Sequence, residues 1–149
     1  MENITLGEIR KDEQSYLTEI TYLSNIIKIY IDLDSGSLEQ SIDVLQKLVS
    51  SIVHFDTLSK EILARDLLET YNESWNSYDE IQDDGSTINV VNPILSKDEF
   101  IAKLALTSIS ITDTNFINLS YDDSYLFWGH QPTVSSTEGL DFSNAEGNI

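Results

Sequence analysis

The amino-acid sequence predicts an α+β fold: an antiparallel sheet of about six strands, a two-helix hairpin packed on one face, and a short third helix. Apolar and polar residues alternate with a period of two over residues 104–134, which is typical of half-buried strands. Two stretches between residues 37 and 78 instead carry apolar residues at steps of three and four, the spacing of one helix face. The chain has 149 residues, of which 40% are hydrophobic, and is most simply a single domain, 1–149, with its own core.

The first third of the chain predicts strands. Residues 4–9 alternate weakly and are expected to form a short strand, followed by a polar turn over residues 10–14. Residues 16–23 and 26–33 alternate strongly. Ser24-Asn25 lies between them and predicts a hairpin, although neither residue is the glycine that a primed turn prefers.

Two helices are expected next. Ser37 has the form of a capping box, with a glutamine three residues later. One apolar stripe follows, made of Leu38, Ile42, Leu45, Val49 and Ile52. The first helix is expected to end near residues 54–55, and Asp56 or Thr57 is expected to cap a second helix that runs to about Tyr78. Helices joined so closely form an antiparallel pair, whose apolar faces need the sheet as a partner.

The second half begins with an acidic stretch, residues 79–92, which predicts an exposed loop. It is not a calcium loop, because with Gly85 at the obligatory glycine position the closing carboxylate slot falls on Val91. Residues 96–99 form a second capping box and open a short helix to about Lys103. Three strands follow within residues 104–134, with turns at 113–115 and 122–124, and residues 140–142 are expected to add a last edge strand.

The charge excludes several kinds of partner. Eight Lys and Arg against 26 Asp and Glu give a net charge of −18 and a pI near 4.1. Phosphate backbones and anionic membranes are repelled by such a field, so neither nucleic acid nor membrane is an expected partner. Two interpretations of the acidity stay open: it keeps a small protein in solution, or it complements a basic protein partner and speeds their encounter.

Composition also predicts the compartment. The chain has no cysteine, which excludes disulfides and thiol catalysis and fits a reducing environment. It has no apolar run long enough to span a membrane, and its first residues lack the pattern of a secretory signal. We therefore expect a cytoplasmic protein.

No catalytic residue, metal site or cofactor site is predicted. Of the two histidines, His54 is expected to cap a helix end, and a structural hydrogen bond is favoured over catalysis for His130. Acidic pairs such as Asp122 and Asp123 are typical turn formers. The six glycines are scattered, so no phosphate-binding loop is present.

The C-terminal half carries a resemblance. Residues 119–123 form an acidic turn, residues 126–130 contain Phe-Trp-Gly-His, and Val134 and Gly139 follow. In these features the chain resembles a bacterial family of small domains of unknown function. The resemblance implies an immunity-like role, since relatives of such domains are associated with immunity proteins that neutralise toxins delivered between bacteria.

Charge and resemblance together predict an acidic, non-enzymatic protein-binding domain of immunity type, which binds and neutralises a basic toxin. Both acidic stretches are expected to lie in loops, where binding residues commonly sit on a rigid scaffold. The alternative is a small enzyme or small-ligand domain with its site on the sheet face near Trp128 and His130. Trp128 is expected either in the core or as an exposed binding anchor. The residues predicted to contact the partner are Asp79, Glu80, Asp83, Asp84, Asp122, Asp123, Trp128 and His130.

Overall fold

A computed structural model describes residues 4–149 and confirms the α+β fold. The helices are α1 (Leu38–Ser50), α2 (Ile52–Thr70), which continues into a π-helical turn (Tyr71–Trp75), and α3 (Lys97–Ala102). The large sheet contains β1 (Arg10–Asp12), β2 (Ser15–Tyr22), β3 (Asn25–Asp32), β6 (Ala105–Thr112), β7 (Phe116–Asp122), β8 (Thr133–Ser136) and β9 (Glu146–Asn148). A separate two-stranded sheet consists of β4 (Ser77–Ile81) and β5 (Thr87–Val91).

The seven strands of the large sheet follow the order β1-β2-β3-β6-β7-β8-β9. Every neighbouring pair is antiparallel except β3 and β6, which are parallel. The sequence prediction of a wholly antiparallel sheet is wrong at this pair. Parallel neighbours need a long crossover connection, and here α1, α2, the small sheet and α3 all lie between β3 and β6.

The core lies between the helices and one face of the large sheet. The inner side chains are those that alternation predicts, such as Ile29, Ile109 and Leu119, each 0% exposed. The predicted stripe is buried at Leu45 and Val49 on α1 and at Ile52, the first residue of α2, and is half-buried at its first two positions. The opposite sheet face carries mostly Ser, Thr and Asn in β6, β7 and β8.

Gly147 in β9 packs directly on α2. A Cβ atom there would lie 3.0 Å from Leu63 Cδ2 and 3.3 Å from its Cα, so a larger residue would require α2 or the Leu63 side chain to shift. The backbone N–H of Gly147 donates to Asp66 at 2.8 Å, and Arg65 donates to the carbonyl of Ala145 at 2.9 Å. These contacts attach the end of the chain to α2, and the last strand is therefore residues 146–148 instead of the predicted 140–142.

The boundary between the two long helices differs from the prediction. The break is at Ser51, which leaves helical geometry with ψ 32°, and α2 begins at Ile52. Asp56 therefore caps nothing. It lies within α2, 4% exposed, and accepts hydrogen bonds from the hydroxyls of Tyr22 and Tyr121, both at 2.8 Å, while Lys60 lies 3.4 Å away. Hydrogen bonds to an ionised carboxylate are stronger than those between neutral groups, so the two tyrosines hold Asp56 firmly in place.

Three further strand predictions are corrected. The first strand is β1, not residues 4–9, although Gly7 and Glu19 still share a backbone hydrogen bond of 2.8 Å. The acidic stretch 79–92 is not a loop, since most of it forms the β4–β5 hairpin. The Phe-Trp-Gly-His segment is not a strand, because residues 124–129 are a series of tight turns that precede β8. By contrast, the complete capping box at Ser96 and Glu99 confirms the predicted start of α3.

Candidate functional site

A cleft of about 780 Å³ opens where the π-helical turn, the base of the β4–β5 hairpin, α3 and the turns after β7 meet. Its volume lies in the range of about 300–1,000 Å³ that is typical of ligand pockets. Aromatic and aliphatic side chains dominate the lining, which consists of Tyr71, Trp75, Tyr78, Asn92, Pro93, Ile94, Leu95, Glu99, Lys103, Ser124, Tyr125, Leu126 and Trp128.

Two asparagines hold the segment after β5 in place. The side chain of Asn72 donates to the carbonyl of Leu95 at 3.0 Å and accepts from its N–H at 2.8 Å. The side-chain amide of Asn76 donates to the backbone carbonyl of Asn92 at 3.1 Å, and the backbone carbonyl of Asn76 accepts from the backbone N–H of Asn92 at 2.7 Å. Both asparagines lie on or next to the π-helical turn, a structure that is frequent at functional sites. This part of the cleft is therefore fixed by paired hydrogen bonds.

Asp123 organises the turns that carry the exposed aromatic residues. Its side chain is buried, and its carboxylate accepts hydrogen bonds from the N–H groups of Tyr125 and Phe127, both at 3.0 Å. Phe127 is thereby directed into the core, where it is 0% exposed. Asp123 is thus occupied inside the fold, whereas Asp122 is exposed.

The same turns hold side chains in an uncommon backbone conformation. Ser124, Tyr125 and Trp128 have φ angles of 56°, 69° and 55°, in the left-handed region that disfavours residues with a Cβ atom. Gly129 follows with φ 92°. Residues held in this region cost of order 1–3 kcal/mol each and cluster at binding sites. Tyr125 and Trp128 nevertheless project outward, 80% and 52% exposed.

Trp75 joins the cleft to the core. Its ring centroid lies 5.4 Å from that of buried Phe127 and 4.7 Å from that of Trp128. His130 meets the same indole edge-on at 5.7 Å. Such contacts fix the orientation of the rings. Trp128 is thus half exposed while one side of its ring packs against Trp75.

The β4–β5 hairpin has two different faces. Strand pairing places Tyr78, Glu80 and Ile88 on one face and Asp79 and Ile81 on the other. Since Tyr78 lines the cleft, Glu80 lies on the face that continues the cleft. Asp79 lies on the other face and accepts a hydrogen bond of 3.1 Å from Asn89.

The turn of the hairpin completes its acidic surface. Asp83 and Asp84 are both exposed there. Ser86 donates its hydroxyl and its backbone N–H to Asp84, which lowers the pKa of that carboxyl. Asp84 is therefore ionised over the whole range in which proteins ordinarily bind one another.

Neither face of the hairpin is covered. Its exposed apolar side chains include Ile81, Ile88 and Val91, and Ile94 just beyond is 70% exposed. None of its four carboxylates forms an ion pair with any residue in the range 4–149. Isolated two-stranded hairpins are marginally stable in water, and apolar patches rimmed by polar groups mark interaction sites.

The ionisable groups of the cleft lining include Glu99, Lys103 and Tyr71. Glu99 completes the capping box with Ser96, whose backbone N–H and side-chain hydroxyl lower the pKa of Glu99, with a smaller contribution from the charge of Lys103. Burial raises the pKa of Tyr71. No set of three potential metal ligands is found within the described residues. Nor is any helix in residues 4–149 long and apolar enough to cross a membrane.

The structure thus brings some predicted site residues together and separates others. Glu80 and Trp128 lie on or beside the cleft, and His130 is next to it through Trp75. Asp79, Asp83 and Asp84 lie on the hairpin away from the cleft lining. Sequence reasoning missed Tyr78, Ile94, Leu95 and Tyr125 as site residues. The sequence does contain a signal for two of them. Ile94 and Leu95 follow Pro93 outside any predicted helix or strand, and apolar side chains in such a segment are hard to bury.

Comparison with known proteins places almost the whole chain in one family. The family described as "Uncharacterized protein conserved in bacteria (DUF2262)" matches residues 3–146. No curated protein and no solved structure matches the chain. The resemblance to a bacterial family of unknown function, inferred from the C-terminal residues, is confirmed at that level.

Proposed function

We propose that this chain, which belongs to the DUF2262 family of uncharacterized bacterial proteins, is a protein-binding domain that contacts a basic partner through the β4–β5 hairpin and the adjoining cleft. In this proposal it acts as an immunity-type protein, and the partner is a toxin that it neutralises. The observation that carries the proposal is the hairpin itself. It leaves apolar side chains and unpaired carboxylates exposed beside a rigid aromatic cleft.

The arrangement matches the anatomy of protein interfaces. Interfaces place aromatic anchors near the centre and polar groups at the rim. Here Trp128, Tyr125 and Tyr78 line the cleft, and the carboxylates of the hairpin lie beside them. Core packing accounts for Phe127 but not for the exposed aromatic residues, which contribute little to the core.

Charge favours a basic partner. Between residues 66 and 96 the chain has no Lys or Arg and seven acidic residues: Asp66, Glu69, Glu73, Asp79, Glu80, Asp83 and Asp84. Complementary charge raises association rates and disfavours partners of like charge. An occluding protein that must capture a toxin quickly benefits from this effect.

The test begins with the products of the genes next to the one encoding this chain. A basic product that is toxic when expressed alone and harmless with this chain supports the immunity role. Binding kinetics are then measured at ~50 and ~500 mM salt. We expect association to slow by about tenfold or more and dissociation to change little, because screening acts on long-range steering.

Matched variants locate the surface. Asp83→Asn with Asp84→Asn should reproduce part of the loss in association rate at low salt. Glu39→Gln with Asp43→Asn removes two exposed charges from α1 and should have a much smaller effect. An association rate that responds to neither salt nor the hairpin substitutions contradicts the proposal and leaves the acidity as a solubility device.

The cleft supports a second candidate function, the binding of a small ligand or substrate. Its volume and aromatic lining suit a small molecule. His130 lies beside the cleft against Trp75 and carries an imidazole, the side chain that most often serves as a general acid or base. A turnover that is present in the natural protein and lost in His130→Ala would favour this candidate over protein binding.

A further inference from the structure

We infer that the cleft takes an arginine side chain of the basic partner, held by its guanidinium group against exposed aromatic rings. This inference rests on the proposed function and names the group that the cleft recognises. It follows from three observations: the rings that are free, the charges around them, and the rigidity of their support.

The first observation is the availability of ring faces. Tyr78, Tyr125 and Trp128 line the cleft and are 41%, 80% and 52% exposed. A cation within about 6 Å of such a ring is attracted by its quadrupole. Trp75 supports Trp128 from the core side, so the exposed area of the Trp128 ring remains available.

The second observation is the charge of the surroundings. Lys103 is the one cation in the lining, and its charge contributes to the lowered pKa of Glu99, which lines the cleft too. Glu80, on the same hairpin face as Tyr78, has no such partner among residues 4–149. Within the lining, Lys103 and Glu99 carry opposite charges, so the negative charge that favours a cation comes from Glu80 beside the lining and from the net charge of −18.

The third observation is rigidity, which favours guanidinium over ammonium. Asn72 and Asn76 fix one part of the cleft, and the buried carboxylate of Asp123 fixes the turns that carry Tyr125 and Trp128. A planar guanidinium stacks on fixed rings and is more weakly hydrated than an ammonium. Lysine would gain the charge attraction but little of the stacking.

Three synthetic peptides test the inference: four Gly-Arg repeats, four Gly-Lys repeats, and four repeats of Gly with citrulline, the uncharged isostere of arginine. The readout is intrinsic tryptophan fluorescence of the full chain, because its two tryptophans, Trp75 and Trp128, both line the cleft. We expect the arginine peptide to bind about fivefold more tightly than the lysine peptide, and the citrulline peptide at least about tenfold more weakly than the arginine peptide.

Two variants show where the preference arises. Tyr125→Asn removes a ring while keeping a residue that tolerates the left-handed conformation, and it should reduce the arginine-over-lysine ratio. Tyr30→Thr removes a half-exposed ring from β3, outside the cleft, and should leave the ratio unchanged. Thermal unfolding of both variants checks that the fold is retained.

Each other outcome is decisive. Equal binding of the arginine and lysine peptides overturns the inference, as does citrulline binding as tightly as arginine, an unchanged ratio in Tyr125→Asn, or no fluorescence response to the arginine peptide. These results leave the proposed function intact if Asp83→Asn with Asp84→Asn still slows association with a protein partner. If that slowing is absent while the arginine preference is present, the proposed function fails at the hairpin and the cleft remains an arginine site.

Discussion

The β6–β7–β8 meander and the β4–β5 hairpin are both antiparallel, yet they are built for different purposes. In the meander, one side chain in two is buried against the helices, and Ile109, Ile117 and Leu119 are all 0% exposed. In the hairpin nearly every side chain is exposed, including Ile81 and Ile88. Burial stabilises a sheet, whereas an exposed apolar strand lowers solubility unless something covers it. The comparison therefore separates strands that build the core from strands whose side chains stay exposed.

The largest expected difference is between two truncations. Leu119→Ala in the meander should lower the free energy of unfolding by about 2–5 kcal/mol, because it leaves a cavity in the core. Ile88→Ala in the hairpin should cost less than about 1 kcal/mol, since its side chain already faces water. Denaturant unfolding measures both changes, and equal costs would mean that the hairpin is part of the core.

A smaller difference is expected between two tyrosines. Tyr121→Phe in β7 removes a hydrogen bond of 2.8 Å to the buried carboxylate of Asp56 and should cost about 1.5–3 kcal/mol. Tyr78→Phe in the hairpin should cost almost nothing, because no hydrogen bond of its hydroxyl is found among the described residues. Unfolding free energies near neutral pH test this pair, and a large cost for Tyr78→Phe would contradict the comparison.

The same tyrosine gives a pH dependence. Burial, with the nearby charge of Asp56, raises the pKa of Tyr121, and burial raises that of Tyr22 too. Above pH of about 10, the unfolded chain loses these protons first and the folded chain keeps them. Stability should therefore fall as pH rises past about 10, and Tyr121→Phe should show a shallower fall. A natural protein whose stability is flat from pH 9 to about 11 would contradict this assignment.

The smallest effect concerns the turns. The β4–β5 turn has Gly85 at a φ of 86°, where glycine suffers no strain. The β2–β3 turn instead places Leu23 and Ser24 at φ 50° and 66°, although Leu23 is 70% exposed and contributes little to the core. Leu23→Asn with Ser24→Gly should raise the free energy of unfolding by about 0.5–1 kcal/mol. A loss of stability would show that Leu23 makes a contact that stabilises the hairpin.

The comparison also explains how far sequence reasoning reached. The alternation of apolar and polar residues predicts the meander because every second side chain packs against the core. Residues 79–92 predict a loop because the small sheet that they form has no buried face: Tyr78, Glu80 and Ile88 share one side without any common polarity. Period-two patterns report burial, and a strand that buries nothing carries no such pattern.

Other features depended on contacts between distant residues. Asp56 is of a residue type that often caps helices. Its actual role depends on hydrogen bonds to tyrosines of β2 and β7, which are distant in the sequence. Trp128 is 52% exposed, so it does not lie in the core, and the turn that carries it depends on the buried carboxylate of Asp123. The cleft itself joins residues from position 71 to position 128, which no local pattern connects.

Hydrogen–deuterium exchange, read residue by residue with and without the partner, tests most directly whether the hairpin and cleft are a binding surface separate from the fold. In the free protein, amides of β4 and β5 should exchange far faster than those of β6 and β7, because the hairpin opens locally without unfolding the core. Partner binding should then slow exchange across the hairpin and the turns after β7, and leave the exchange rates of β6, β7 and β8 unchanged. Protection confined to β6, β7 and β8, with the hairpin still exchanging freely, would show that the partner does not bind the hairpin.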